Sequence, residues 1–156
     1  MKATTLFEEN GLRTFALVLD PGDDAFAEIT SFAAAHAVTG ASLTAIGACR
    51  QVTIGYFDPE INEYRSTHFG EQLEVLSLIG DIATKDGRPQ LHAHVVLGRK
   101  DSSAIGGHLE HAEVFPTMEV VLTETPAHLR KRIDPQTGLA LISVPDSEGA
   151  GGEGEA

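Results

Sequence analysis

The residues best suited to chemistry lie in one stretch, Leu91 to His108, which reads LHAHVVLGRKDSSAIGGH. His92 and His94 stand two positions apart in a Val/Leu-rich run with the composition of a strand. Side chains alternate faces along a strand, so both imidazoles project to one side, with Cα atoms about 7 Å apart. Gly98–Ser103 carries turn chemistry, and Ala104 onward reads as the returning strand. A turn centred on Asp101 pairs His108 with His94, and one centred on Lys100 pairs it with His92. Gly106 and Gly107, just before His108, remove side-chain bulk and allow a bulge that re-aims the third ring. Three imidazoles on one face suit a borderline divalent ion such as Zn²⁺. A three-ligand set also leaves a position open for water or substrate. The competing reading is a polar sheet face, because strand histidines commonly hold no metal.

A sheet must position these rings, and the rest of the chain supplies it. Thr14–Leu19 is a β-rich run stopped by Asp20-Pro21-Gly22. Asp23 or Asp24 can cap a helix whose stripe is Phe26, Ile29, Ala33 and Ala37, with Gly40 as its stop. His36, near the end of that helix, reads as a partly exposed polar position. Ser42–Ile46 and Gln51–Phe57 are two strands with a bend or bulge at Gly47, and Tyr64–Phe69 is an edge strand. In Glu71–Ile79 the alternation predicts Leu73, Val75, Ser77 and Ile79 on one face, with Glu74, Leu76 and Leu78 on the other. After the histidine hairpin, Glu110–Phe115 is broken by Pro116. Thr117–Thr125 then places Met118, Val120 and Leu122 opposite Thr117, Glu119, Val121 and Thr123, and Pro126 ends it. Leu139–Val144 is a last short strand. About eight strand-like runs with one helix and no βαβ rhythm indicate an α+β domain with a mainly antiparallel sheet.

Composition bounds the function. The 156 residues fit one domain, residues 13–145, after an N-terminal extension (1–12) and before a Gly/Glu-rich tail (146–156) that reads as disordered. A formal net charge of −12 disfavours duplex DNA or an anionic membrane as partner. The dense basic cluster, Arg130, Lys131 and Arg132, reads as a solvated face. The single cysteine, Cys49, lies among small apolar residues and reads as a buried thiol, which fits a reducing compartment. With no signal-peptide h-region and no membrane-length apolar run, the expected location is the cytoplasm. Dinucleotide-binding, phosphate-loop and Ser–His–Asp signatures are absent.

With these residues assembled, the chain resembles the plants and prokaryotes conserved domain (PPC) family. The matching stretches are FALVLDPGDD, LTAIGACRQVTIGYFD, EQLEVLSLIGDIATKDG, LHAHVVLG, GGHLEHAEV and TMEVVLTE, covering residues 13–144. The resemblance implies a seven- or eight-stranded antiparallel sheet with a few flanking helices, assembled as a homotrimer. It also implies that the histidines of the HxH and GGH motifs are metal ligands for zinc, here His92, His94 and His108. In plants the domain is joined to AT-hook segments built on Arg-Gly-Arg-Pro. In this chain Asp86 precedes Gly87-Arg88-Pro89, so the hook is absent.

Three functions compete. The first is a homotrimeric zinc-binding protein that binds or acts on a small anion, by hydrolysis or lyase chemistry supported by the ion's Lewis acidity. In it Glu119 is the candidate general base or supporting carboxylate, with Glu74 and His111 behind it. Arg13 or Arg50 of a neighbouring subunit would hold the anion. The second is a DNA-binding or regulatory module using Arg130–Arg132. The third is a structural trimer without catalysis.

Overall fold

The computed structural model describes residues 1–125 and 127–144 of the chain. The predicted tail, residues 146–156, and the strand stop at Pro126 lie outside the described residues.

In chain order the elements are β1 (Lys2–Glu9), β2 (Leu12–Leu19), α1 (Ala25–Ala35), β3 (Gly40–Asp58), β4 (Glu63–Phe69), β5 (Leu73–Lys85), β6 (Arg88–Gly98), β7 (Ala104–Glu124), β8 (Lys131–Ile133) and β9 (Ala140–Ile142). Seven strands form one sheet in the order β1-β2-β7-β6-β5-β3-β4, and β8 pairs with β9 alone. All strand pairings are antiparallel, as expected for α+β. Two tight hairpins use Asn10-Gly11 and Asp86-Gly87, each with two successive positive φ angles, the conformation that matches strand twist across a two-residue loop.

Four differences from the sequence reading have physical causes. The stretch read as an extension, residues 1–12, contributes the edge strand β1. Its residues are exposed throughout, so no apolar alternation announced it. The two predicted strands around Gly47 are one, β3, with the expected bulge at that glycine: φ is +149°, and a Cβ there would strike the Thr117 carbonyl. Likewise β7 runs through Pro116. The proline, which has no N–H to donate, falls where the β3–β7 register jumps from Gly47↔Met118 to Cys49↔Val114. In β5 a register shift between Val75 and Ser77 reverses the alternation, so Leu78 is buried and Ile79 is exposed. Glu74 therefore shares its exposed face with Leu76 but not with Leu78.

Helix α1 starts as predicted, with Asp24 Oδ1 accepting from the Ala27 N–H at 2.6 Å. It ends earlier, at a His36 cap followed by Ala37 in the left-handed region (φ 52°), and Gly40 opens β3 instead. Its buried side, Ala25, Ile29, Phe32 and Ala33, joins the hydrophobic core.

That core is enclosed because β7 also pairs with β3, closing β3, β5, β6 and β7 into a ring. Leu43, Ala45, Val75, Leu78, Ile82, Leu91, Ala93, Val95, Leu109, Val120 and Leu122 are all buried within it. Burial of such residues at about 25 cal/mol per Å² of apolar surface is the main stabilising term. Cys49 is fully buried, as read.

Candidate metal centre

The hairpin of β6 and β7 has the register in which His94 opposes His108. A tight turn is its cause: Arg99 N–H donates to the Ser103 carbonyl and Ser102 N–H to the Arg99 carbonyl, each at 2.9 Å, and Asp101 accepts from Ser103 Oγ at 2.6 Å. His92 and His94 alternate with buried Leu91, Ala93 and Val95, so both rings stand on the face turned away from the core. The two glycines before His108 are required by close strand approach. A Cβ on Gly106 would lie 2.6 Å from the Val95 carbonyl, and one on Gly107 2.8 Å from the Gly55 carbonyl. The bulge falls just beyond, at Glu110, where Ile54↔Leu109 steps to Thr53↔His111.

His92, His94 and His108 come together as a cluster whose candidate ligand nitrogens all lie within 4.8 Å of one another. Ring centroids are 5.2 to 5.5 Å apart. The set fits a divalent ion on two further observations. First, His108 Nδ1 is buried without a hydrogen-bond partner among the described residues, a costly state for a polar atom unless something ligates it. Second, two of the rings resist protonation: burial, then His92, then His94, hold His108 down to about 4, and burial with His92 lowers His94. Neutral imidazole is the ligating form.

A carboxylate braces the cluster. Asp81, opposite His92 in β5, places Oδ2 3.4 Å from His92 Nδ1, which leaves Nε2 for the ion. Burial works to raise the Asp81 carboxyl, yet His92 and Lys131 hold it below its usual range. Lys131 Nζ lies 3.1 Å from Asp81 Oδ1, and its side chain is 2% exposed. The three histidines open onto a concavity of about 340 Å³ also lined by Tyr64, Gln90, Lys131 and Leu141. Tyr64 tilts its ring over His108 at a centroid distance of 4.7 Å.

The other candidates stand elsewhere. Glu119 is exposed eleven positions beyond His108 along β7, opposite Val18 and Ile46. It shares a different concavity with Glu74. It is not among the residues that line the histidine concavity. His111 Nδ1 pairs with Asp24, tying the start of α1 to β7. Arg13 is committed to Glu124, with Nη2 2.6 Å from Oε1 and Nε 2.8 Å from Oε2, and Arg50 to Glu113 at 2.7 Å. His36 stacks on Phe32 at 3.9 Å. Within the basic cluster Arg130 and Arg132 are solvated, but Lys131 is buried, contrary to the reading of the cluster as one solvated face. Asp81, Tyr64 and Lys131 were missed. For Lys131 a signal existed: in a strand the middle residue of Arg-Lys-Arg points opposite to its neighbours.

Comparison with known proteins finds a family model and several solved structures of the same fold. The model of the Plants and Prokaryotes Conserved (PCC) domain matches residues 6–126. A metal-containing protein of Archaeoglobus fulgidus is 39% identical, with 92% of this chain and 100% of that chain covered at a TM-score of 0.79. A plant- and prokaryote-conserved protein of Pyrococcus horikoshii is 33% identical over 85% of this chain and 92% of its own, with a TM-score of 0.80. A Bacteroides thetaiotaomicron protein, provisionally named as DNA binding, shares the fold at 24% identity, 90% and 96% coverage and a TM-score of 0.83. No curated protein matches the chain.

Proposed function

The chain belongs to the Plants and Prokaryotes Conserved domain family, and from that premise we propose that it is a homotrimeric metal-binding protein. His92, His94 and His108 hold a divalent ion, zinc foremost, with one coordination position left for a small molecule. The observation that carries this is the convergence of three imidazoles, with an orphaned Nδ1 on His108 and protonation of His94 and His108 disfavoured by their surroundings. The metal-containing Archaeoglobus relative supports it. When bound, the ion would supply a Lewis acid at the mouth of the concavity. The chain's own groups do the rest: Asp81 fixes the tautomer of His92, Tyr64 and Leu141 wall the cavity, and the double glycine sets the position of His108.

The trimer is supported by the outward face of the ring. Val121 stands beside Thr44, Thr44 beside Ile79, and Ile79 beside His94. Ile46, Leu76 and Ile79 are each more than half exposed, and Val96 and Val121 are 45% exposed. An apolar surface of this continuity calls for a cover, and a second copy of the chain is the occupant proposed.

Elemental analysis of untagged protein, with oligomeric mass and a His92→Ala/His94→Ala control, tests the reading. About one zinc per chain, lost in the control, is expected. Metal-free wild-type protein after zinc dialysis would refute it. The DNA-binding reading rests on the names of relatives and is opposed by the net charge of −12. A salt titration of duplex affinity separates the two, since phosphate contacts weaken steeply with salt.

A further inference from the structure

Lys131 is buried where its neighbours are solvated. It lies on β8, a strand of three residues, between two solvated arginines, yet its own side chain is 2% exposed. Burying an ammonium is costly unless it is fully partnered. Its one ion-pair partner among the described residues is Asp81, at 3.1 Å. That contact lacks hydrogen-bond alignment, because Asp81 Oδ1 is buried without a hydrogen-bond partner. The donors of Lys131 are therefore largely unused. Gln90, on the same wall, has a buried amide oxygen that accepts nothing among the described residues. Both side chains line the concavity of the three histidines.

We propose that Lys131 is the anion-binding residue of this cavity and that its ligand is a small hydroxycarboxylate. The carboxylate would lie against the Lys131 ammonium, and the hydroxyl would donate to Gln90. This rests on the metal-site reading and deepens it. One carboxylate, Asp81, separates the ammonium from His92, so a molecule of a few carbons spans from Lys131 to the histidines. Charge favours an anion. With three neutral imidazoles, the ion's two charges and the ammonium's one outweigh the two negative charges of Asp81 and Glu110. Arg13 and Arg50, the cations suggested by sequence alone, are occupied by Glu124 and Glu113.

The test uses full-length protein loaded with Co²⁺, whose visible spectrum reports on its ligands, with cobalt content measured separately. Lactate and lactamide, which differ in charge but hardly in shape, are titrated into wild type and Lys131→Met. Wild type should prefer lactate, and Lys131→Met should bind lactate at least about tenfold more weakly, as for loss of a charge-assisted hydrogen bond, at unchanged cobalt content. Equal response to the two probes, response to neither, or undiminished lactate binding by Lys131→Met would overturn the Lys131 assignment while leaving the metal centre standing. Failure to take up cobalt would instead remove the metal centre and this inference with it. Should Lys131→Met not fold, Lys131→Gln, which keeps a polar side chain and removes the charge, replaces it with the same expected and overturning results.

Discussion

Removing the metal should turn the histidine cluster into an acid-sensitive weak point, and His108 sets the size of the effect. Burial, with His92 and His94 next, keeps its imidazole neutral down to about 4, against an ordinary value of 6.5. Below pH 6.5 the unfolded chain therefore binds a proton that folded His108 refuses. The unfolded state gains protons first, so stability falls as the solution is acidified, and the loss is complete below about 4. Between pH 7 and pH 5 these two values give a loss of about 2 kcal/mol. His108 is only half-buried, so solvent screening reduces this to about 1 kcal/mol, or about 2–4 °C in Tm for a chain of this length. His94, lowered for the same reasons, adds in the same direction. The assay is urea or thermal denaturation of metal-stripped protein at pH 7 and pH 5, at one protein concentration because assembly shifts apparent stability. Carboxylates held low by ion pairs, such as Glu113 and Glu124, also lose stability in acid, so the comparison is with His108→Gln. The variant should lack about 1 kcal/mol of the wild-type pH dependence. Identical pH dependence in the two proteins would refute the account of His108 as a ring kept neutral by its surroundings.

Other outcomes follow from the same geometry. Asp81→Asn should lower zinc affinity about 10- to 100-fold, read by competition with a chelator, and should also lower stability because it leaves buried Lys131 without its ion-pair partner; unchanged affinity would remove Asp81 as the brace of His92. Gly107→Ala should cost about 1–3 kcal/mol in denaturant melts and weaken metal binding, because the added Cβ meets the Gly55 carbonyl at 2.8 Å and must push β7 from β3. Ile46→Asp should lower the mass seen by sedimentation, and a wild-type protein that is monomeric at micromolar concentration would contradict the proposed trimer. Cys49, pushed up to about 11 by burial and then by the charge of Glu74, should react with thiol reagents far more slowly in the native protein than in urea.

How much of this was legible in the sequence depends on the range over which each feature is determined. The histidine site was legible because it is local: strand alternation puts His92 and His94 on one face, and a single turn fixes which of them meets His108. The cap at Asp24 and the bulge at Gly47 were legible for the same reason. Features set by distant neighbours were not. β1 has no apolar face of its own and exists through its backbone pairing with β2. The phase slip at Val75–Ser77 comes from register against β6, which no pattern within β5 encodes. Asp81 and Lys131 meet across about fifty positions of sequence, and three residues of β8 are too few for a period to stand out. Glu119 was chosen for nearness in sequence to His108, but it lines a different concavity from the three histidines.

The closure of the ring has a consequence for time as well as for shape. His108 is paired to His94 along one edge of β7 and to Gly55 along the other, and His94 is itself held between Ile79 and His108. Neither residue lies at a fraying end or on an open sheet edge. Their amide hydrogens should therefore exchange with solvent only through the largest opening the domain undergoes, at rates set by its global stability, while those of the exposed edge strand β1 exchange by local release. A site built at the most tightly woven point of the sheet does not breathe, so an ion lodged there should leave slowly and along the cavity mouth, without any need for the strands to part.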